Sequence, residues 1–279
     1  MTAVLDPDAL RERYDTQLRT WMPGVLPPDA RLDHDGPVVR LSGVDERGFV
    51  TYRTVADLPG GELDALIARQ RDHFAARGEG VEWKLHGHDL PADLPQRLVA
   101  AGFEPEERET VVIGLAAPLA DPSPTLPSGV RLQEATARAD LDRIAVMESA
   151  VWNHDRSRLA VALERELAAD PDGTTVVLAE AGDTLVCAGW VRYVRGTDFA
   201  TLWGGSTRRE WRGQGIYKAL VRYRAHLAVT RGYSLLQVDA SDDSRPILQR
   251  CGFVAVTTTT PYVHPAPVST EDHPRAGRV

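Results

Sequence analysis

The amino-acid sequence predicts an α/β (α+β) protein built from two related domains, each a mixed β-sheet flanked by helices, with the first copy truncated. Three observations lead to this prediction. Helical and strand-like patterns of apolar residues alternate along the chain. A segment with four prolines, residues 116–128, interrupts them. The same order of elements recurs on both sides of that segment, which favours a duplicated fold.

The proline-rich segment sets the predicted domain boundaries. We expect a partial first domain over residues 1–118, opened by an N-terminal helix (DPDALRERYDTQLRTW), and a linker over residues 119–129. A complete second domain is expected over residues 130–265, followed by a disordered tail over residues 266–279. The N-terminal helix could pack on either domain or on a second subunit, which leaves a homodimer open.

The repeated elements are a helix, a strand, a short helix and a strand. In the first half, an amphipathic helix ends at Gly78 and leads into VEWKLHG, a short helix closing with LVAAGF, and ETVVIGL. In the second half, a helix ends at Gly232 and leads into LLQVDA, the short helix SRPILQRCGF, and VAVTTTT. Duplication of one fold explains this order; chance recurrence of common elements is the alternative.

The second half has more predicted strands and helices before its main helix than the first half has. We predict a strand VRLQEA, helices near residues 139–152 and 159–168, and two strands joined by a hairpin turn at Gly182-Asp183. The first half has only DGPVVRLSG and GFVTYRT before its helix, and it lacks a glycine-rich turn there. The first domain is therefore expected to be degenerate.

Composition and charge exclude several function classes. The 279 residues are 43% hydrophobic with a formal charge of -8, so we expect no nucleic-acid partner. No apolar run reaches about 18 residues, and acidic residues occupy the start of the chain, so we expect no membrane partner and a cytoplasmic location. Cys187 and Cys251 are interpreted as reduced packing residues, with a thiol nucleophile as the alternative. The excess of acidic over basic side chains suits a cationic amine as the acceptor.

The segment from Phe199 to Ala228 carries the main chemical signal. An apolar strand leads into a turn with Arg212, Gly213 and Gly215, and a long helix follows directly. Unobstructed N–H groups at a helix start can bind a pyrophosphate, although a merely tight connection has the same pattern. GxxxxGK[ST] is absent, and Lys218 breaks GxGxxG, so triphosphate hydrolysis and dinucleotide binding lose support.

The turn Arg212-Gly213-Gln214-Gly215-Ile216-Tyr217 resembles the Arg/Gln-x-x-Gly-x-Gly/Ala turn of the GNAT superfamily of N-acetyltransferases. The resemblance covers residues 130–263 in full, and residues 49–115 resemble the family's C-terminal portion. It implies a tandem arrangement of a degenerate and a complete GNAT domain, each with a centrally splayed sheet. It also implies acetyl-CoA as acyl-donor co-substrate, no metal, and direct transfer to a small-molecule amine in a ternary complex.

The resemblance assigns coenzyme A binding to two segments. Pantetheine would bind along Gly205, Ser206 and Thr207, where Gly204-Gly205 fits a bulge that opens a slot for the thioester. The pyrophosphate would bind the turn and the helix start that follows it. The residues assigned there are Arg212, Gly213, Gln214, Gly215, Ile216, Tyr217 and Lys218.

Three positions depart from the family's pattern. Tyr217 replaces a small residue where the helix should approach the phosphates, Thr201 replaces a common glutamate base, and Leu248 replaces a common tyrosine acid. Coenzyme A binding is expected to survive these changes more easily than proton transfer. A non-catalytic acyl-CoA-binding protein is therefore the main alternative, and an enzyme modifying protein lysines is a weaker one.

Replacement bases are few, and each has a structural interpretation too. The candidate catalytic residues are Asp239 and Ser241, which close the strand facing the slot, and Glu148, which lies with His154 in the helical region where the resemblance implies acceptor binding; Asp198 opens the opposite strand. A cap suits Ser241, and a solvent-facing helix position suits Glu148. His86, His88 and Asp89 lack a further ligand of suitable spacing, so structural roles are expected there and no metal site is predicted.

Overall fold

The computed structural model describes residues 5–44 and 47–267, so the predicted disordered tail lies outside the described residues from 268 onward. The described helices are α1 (Pro7–Gln17), α2 (Gly60–Ala75), α3 (Leu94–Ala100), α4 (Arg138–Trp152), α5 (Arg158–Ala169), α6 (Ile216–Thr230) and α7 (Arg245–Arg250). The described strands are β1 (Arg31–Asp35), β2 (Val38–Ser42), β3 (Gly48–Tyr52), β4 (Val81–His86), β5 (Glu104–Pro105), β6 (Glu109–Leu115), β7 (Val130–Ala135), β8 (Thr174–Ala181), β9 (Thr184–Tyr193), β10 (Phe199–Thr207), β11 (Leu235–Ala240) and β12 (Val254–His264).

The predicted mixed α/β fold is confirmed, and the predicted elements of both halves are present. The hairpin turn at Gly182-Asp183 joins β8 to β9. Strand β1, with sequence RLDHD, was not predicted. Its side chains are almost all exposed, so it has no apolar alternation, and it is defined only by its pairing with β2.

Two compact units divide the chain differently from the predicted domain boundaries. The larger unit contains residues 5–29, 86–88 and 108–260, and the smaller contains residues 30–85, 89–107 and 261–267. Pairing explains the difference, because β6 is hydrogen-bonded to β11 over its whole length and to β12 on its other side. The proline-rich segment also belongs to the larger unit, where Leu119 is buried and Asp121 pairs with Arg222 of α6.

The sheet of the larger unit has the strand order β12-β6-β11-β10-β9-β8-β7. Only β10 and β11 are parallel; the other neighbours in this unit are antiparallel. One apolar cluster joins the sheet to α6 and α7. Separate clusters join it to α4 and α5 and, over β6, β10 and β11, to α1.

The sheet splays between β10 and β11. These strands pair only from Phe199 to Thr201 against Leu235 to Gln237. Beyond that point β10 continues along β9 to Thr207, and β11 continues along β6 to Ala240. The predicted central splay is therefore confirmed, and it leaves an opening between the C-terminal ends of two parallel strands.

The smaller unit contains the sheet β1-β2-β3-β4, with β3 and β4 parallel, and the short pairing of β5 with Tyr262 and Val263 of β12. Its core includes Phe74 of α2 and Trp83 of β4, both fully buried. Helix α2 begins after Pro59 without a side-chain cap, and the described residues of the unit before α2 form no counterpart of β7, α4 and α5. This agrees with a truncated copy of the fold.

We predict that α1 is an integral part of the larger unit. Leu10 is 5% exposed and packs in a cluster with Val111, Phe199 and Leu235. Leu10→Ala should lower the free energy of unfolding by about 2–5 kcal/mol, because it leaves a cavity in that cluster. Urea denaturation would measure this, with exposed Glu12→Ala as the control; equal stability of the two variants would contradict the prediction.

Candidate active site

The predicted bulge is present in β10. Gly204 lies opposite Gly189 and Ser206 lies opposite Ala188 of β9, so Gly205 is an extra residue in the ladder. A bulge of this kind disrupts hydrogen bonding locally and increases the twist of the strand. It lies beside the opening between β10 and β11.

Glycine is required at both positions of the bulge. Gly204 and Gly205 have φ angles of +63° and +86°, which other residues adopt only with strain. A Cβ atom at Gly204 would lie 2.5 Å from the ring of Trp190, and one at Gly205 would lie 2.6 Å from the ring of Tyr217. The bulge is therefore closely packed on both sides.

The extra residue changes which side chains of β10 share a face. Trp203 lies opposite Trp190, and Ser206 lies opposite Ala188, and both of these β9 residues pack in the cluster with α4 and α5. Without the bulge, strict alternation would place Gly205 on this face after Trp203. With it, the hydroxyl of Ser206 faces α4 instead.

Arg224 of α6 binds the carbonyl groups next to this bulge. Its side chain is 1% exposed, and Nη1 donates to the carbonyl oxygens of Trp203 at 2.9 Å and Trp190 at 3.1 Å. Burial lowers the pKa of this guanidinium. Among the described residues no carboxylate pairs with it. Its hydrogen bonds therefore satisfy strand carbonyls in the core.

The glycine turn forms an open cradle at the start of α6. Gly213 and Gly215 have φ angles of +75° and +84°, and a Cβ atom at either would meet nothing within 4 Å. Helix α6 begins directly after Gly215, with no side-chain cap and no acidic residue in its first turn. Its free N–H groups and the helix dipole therefore favour an anion such as a pyrophosphate.

Basic side chains hold and surround this cradle. Nε of Arg212 donates to the carbonyl of Thr207 at 3.1 Å, and Nε of Arg208 donates to the carbonyl of Leu185 at 2.7 Å. Arg212, Gln214 and Lys218 are exposed. Of the predicted pyrophosphate residues, Arg212 to Gly215 and Lys218 thus lie together at one surface, next to the end of β10, whereas the side chain of Ile216 is buried.

Tyr217 does not project towards the cradle. Its ring packs against Gly205 of the bulge and against the cluster that joins the sheet to α6 and α7, and burial raises its pKa. The obstruction of the phosphate site that the sequence suggested is therefore not seen. The bulky ring instead fills the space that the glycine leaves on β10.

Glu148 of α4 lies beside Ser206, on the side of the sheet to which the bulge turns the Ser206 hydroxyl. It is 3% exposed, and its Oε2 accepts a hydrogen bond of 2.9 Å from the indole of Trp152, which also donates to Oγ of Ser206 at 2.8 Å. Oε1 is buried without a hydrogen-bond partner among the described residues. Burial raises the pKa of Glu148, and Ser206, Arg156 and Trp152 partly offset this. The solvent-facing interpretation of Glu148 is wrong.

The other candidate bases have partners of their own. Asp239 of β11 is half-buried on the far side of the opening and accepts a hydrogen bond of 2.7 Å from Gln237. Ser241 hydrogen-bonds Ser244, the residue that precedes α7, and it is not the cap of that helix. Asp198 binds Gln17 and Arg13 of α1, and these contacts lower its pKa.

Thr201 and Leu248, the other two positions that depart from the family's pattern, have structural roles, and His154 lies at the surface. Thr201 is buried and accepts a hydrogen bond of 2.8 Å from the indole of Trp203, and Leu248 is fully buried in the core beneath α7. His154 is exposed in the turn after α4. None of these three is arranged to replace the common base or acid.

Comparisons with known proteins identify the family of this site. Residues 138–253, which include α4, β10, the cradle and α6, match the family described as "Acetyltransferase (GNAT) family". The chain contains a GNAT acetyltransferase domain. Members of this family transfer acyl groups from acyl-CoA. A search of curated protein sequences found no match.

Solved structures with the same fold extend the likeness beyond the GNAT domain. A GCN5-related N-acetyltransferase from Kribbella flavida is 17% identical, with a TM-score of 0.61 over 86% of this chain and 91% of that one. A tandem GNAT protein from the clavulanic acid biosynthesis pathway is 16% identical, with a TM-score of 0.60 over 88% and 86%. At these identities the likeness concerns the fold, and because it extends over 86% and 88% of this chain, it includes the fold of the N-terminal part.

Sequence reasoning missed three side chains near the bulge of the GNAT domain. Trp152 and Trp203 are large and exposed, and Arg224 is charged and buried. An arginine within an apolar helix face was a usable signal, because such a side chain needs acceptors in the core. The two indoles gave no signal, because their position depends on the bulge and on how α4 packs.

The two cysteines, and the histidines His86 and His88 of the larger unit, have structural contacts. Both cysteines are free, as predicted, and burial raises the pKa of Cys187 to about 11. His86 hydrogen-bonds Tyr14, and His88 bonds Asp15 at 2.9 Å. Among the described residues no three metal-binding side chains are grouped together, and no helix is long and apolar enough to span a bilayer.

We predict that Arg224 maintains the bulge. Arg224→Met should lower the free energy of unfolding by about 1–3 kcal/mol, because the carbonyls of Trp190 and Trp203 lose their donor inside the core. Arg224→Lys, which keeps a donor, should recover part of that loss. Urea denaturation followed by tryptophan fluorescence would measure both; a Met variant as stable as the wild type would contradict the assignment.

Proposed function

We propose that the protein is an acyl-CoA-dependent N-acyltransferase that moves an acetyl group directly to a small-molecule amine in a ternary complex. One observation supports the proposal beyond the family match: a buried carboxylate, Glu148, lies beside Ser206 at the β10 bulge, and one of its oxygens has no partner within the described part of the chain. A fold that only bound acyl-CoA would gain nothing from an ionisable group held at that cost.

The donor site follows from the cradle and the bulge. The pyrophosphate of acetyl-CoA binds the N–H groups from Gly213 to Lys218, where the structure leaves space and positive potential. The pantetheine arm lies along Gly205, Ser206 and Thr207, where β10 has separated from β11. The thioester then lies at the opening, next to the face that carries Glu148.

Glu148 is proposed as the general base. The amine nitrogen attacks the thioester carbonyl carbon, the new C–N bond forms, and the C–S bond breaks with its electron pair leaving on sulfur. The proton lost by the amine passes to Glu148, with the hydroxyl of Ser206 between them. A pKa raised by burial suits this role, because a more basic carboxylate accepts a proton more readily.

No dedicated acid is needed for the leaving group. A thiol has a pKa near 8.5, so a thiolate is an acceptable leaving group at neutral pH. This is consistent with Leu248 at the position of the family's common tyrosine. The remaining requirement is a donor for the developing oxyanion, for which the backbone N–H groups of the bulged strand are the candidates.

A non-catalytic acyl-CoA-binding protein is the second candidate. It is favoured by Thr201 and Leu248, which replace the residues that many members of the family use for proton transfer. The two functions share the donor site and differ in turnover. Release of free thiol from acetyl-CoA in the presence of an amine distinguishes them.

We predict that the cradle binds acetyl-CoA. Calorimetric titration of acetyl-CoA should show saturable binding, and Gly215→Trp should weaken it by more than about tenfold, or 1.4 kcal/mol, because the side chain occupies the phosphate position. Gly196→Trp is the matched control, since Gly196 also has a positive φ and open surroundings. Absence of binding in the wild type would refute the proposed function.

We predict that Glu148→Gln abolishes turnover without abolishing acetyl-CoA binding. Loss of a general base typically lowers the rate by about 10²–10⁴-fold. In the wild type the rate should rise with pH through a pKa above the ordinary glutamate value, because burial raises the pKa of Glu148. The exposed Glu62→Gln variant is the control, and unchanged turnover in Glu148→Gln would remove Glu148 from the mechanism.

Stability gives an independent measurement on the same variant. A carboxyl whose folded-state pKa is raised stabilises the fold most at low pH, and its ionisation costs stability as pH rises towards neutral. Glu148→Gln removes this cost. It should therefore raise the Tm at pH 7 by about 2–4 °C for each kcal/mol by which the free energy of unfolding increases. A variant that is inactive and more stable than the wild type has lost chemistry and not its fold.

A further inference from the structure

Two exposed indoles lie next to the proposed base. Trp152 ends α4 and is 52% exposed, and Trp203 lies on β10 and is 43% exposed. Both belong to the face of β10 that receives α4 and α5, since Trp152 contacts Ser206 and Trp203 pairs with Trp190. Partly exposed aromatic side chains next to a few fixed polar groups are typical of ligand sites.

The polar edges of both indoles are fixed by hydrogen bonds. The Nε1 group of Trp152 donates to Glu148 and to Ser206, and that of Trp203 donates to Oγ1 of Thr201 at 2.8 Å. The N–H groups are thus satisfied within the protein. What the two side chains expose is apolar ring surface held in a defined orientation.

Apart from Oε1 of Glu148, the charged side chains named around these indoles have hydrogen-bond partners. The guanidinium of Arg192 lies 4.5 Å from the ring centre of Trp203, and it is bound by both oxygens of Glu166 at 2.7 and 2.8 Å. Across the opening, Asp239 accepts a hydrogen bond from Gln237. Over the residues that the structure describes, this surface therefore offers apolar area to an acceptor and no cluster of unpaired carboxylates that would select a polycation.

We propose that the acceptor is an amine that carries an aromatic or similarly flat apolar group, and that this group packs on the rings of Trp152 and Trp203. The inference rests on the proposed function and specifies its substrate class. The amine nitrogen then points along β10 towards Ser206 and Glu148, and the apolar group excludes water from the carboxylate. Trp152 has a double role, because the same indole binds the base and contacts the acceptor.

The test is binding of amines to the protein saturated with coenzyme A, measured by tryptophan fluorescence and by calorimetry. Phenethylamine should bind more tightly than ethanolamine or spermidine by about tenfold or more. Trp203→Ala and Trp152→Ala should each weaken phenethylamine binding by about tenfold, and Trp152→Phe, which keeps a ring, should weaken it less. Val99→Ala, at an exposed apolar side chain of the smaller unit, is the matched control.

The possible outcomes separate this inference from the proposed function. Equal binding of phenethylamine and ethanolamine, preference for spermidine, or wild-type binding by both alanine variants with unchanged thermal melting would overturn the inference. Loss of binding together with loss of the folded state is resolved by Trp203→Phe, which should fold and bind. Tryptophan-dependent binding of phenethylamine without acetyl-CoA binding or thiol release would retain the acceptor surface and refute the acyltransferase.

Discussion

Arg224 donates from the core to the carbonyl groups of Trp190 and Trp203, next to the point where β10 gains its extra residue. A bulge leaves strand carbonyls without their usual ladder partners, and an unsatisfied carbonyl in the core costs about 1–3 kcal/mol. The guanidinium removes that cost, although its own burial is unfavourable. The opening between β10 and β11 thus depends on a charged side chain placed among apolar ones.

The bulge brings the proposed acetyl-CoA site next to the proposed general base. Because Gly205 adds one residue, Thr207 turns its hydroxyl towards Cys187 while Ser206 faces α4 and Glu148. The strand that would hold pantetheine therefore also holds the hydroxyl nearest the proposed base. The cradle begins six residues after Thr207, so the same short segment sets the distance between pyrophosphate and thioester.

The sequence allowed prediction of those parts of the site that local backbone geometry determines. Gly204, Gly205, Gly213 and Gly215 adopt positive φ angles, and the presence of glycine in the sequence is a direct sign of such a backbone conformation. Glu148 was wrongly predicted to face solvent, because helix periodicity alone did not show that the side chain of Trp152 would lie against its carboxylate. The position of β6 was missed for a related reason: ETVVIGL reads as a buried strand, but its neighbours, β11 and β12, lie more than a hundred residues further along the chain.

The placement of β6 also explains why the proline-rich segment is not a domain boundary in the structure. β6 precedes that segment, yet it pairs with β11 on one side and with β12 on the other, and it contributes Val112 to the core beneath α6 and α7. A fragment starting at residue 130 would lack this strand and would leave the edge of β11 unpaired beside Asp239. The GNAT domain is therefore completed by a strand from the first half of the chain, so the two halves cannot be divided at the linker without removing the strand that pairs with β11, on one side of the opening.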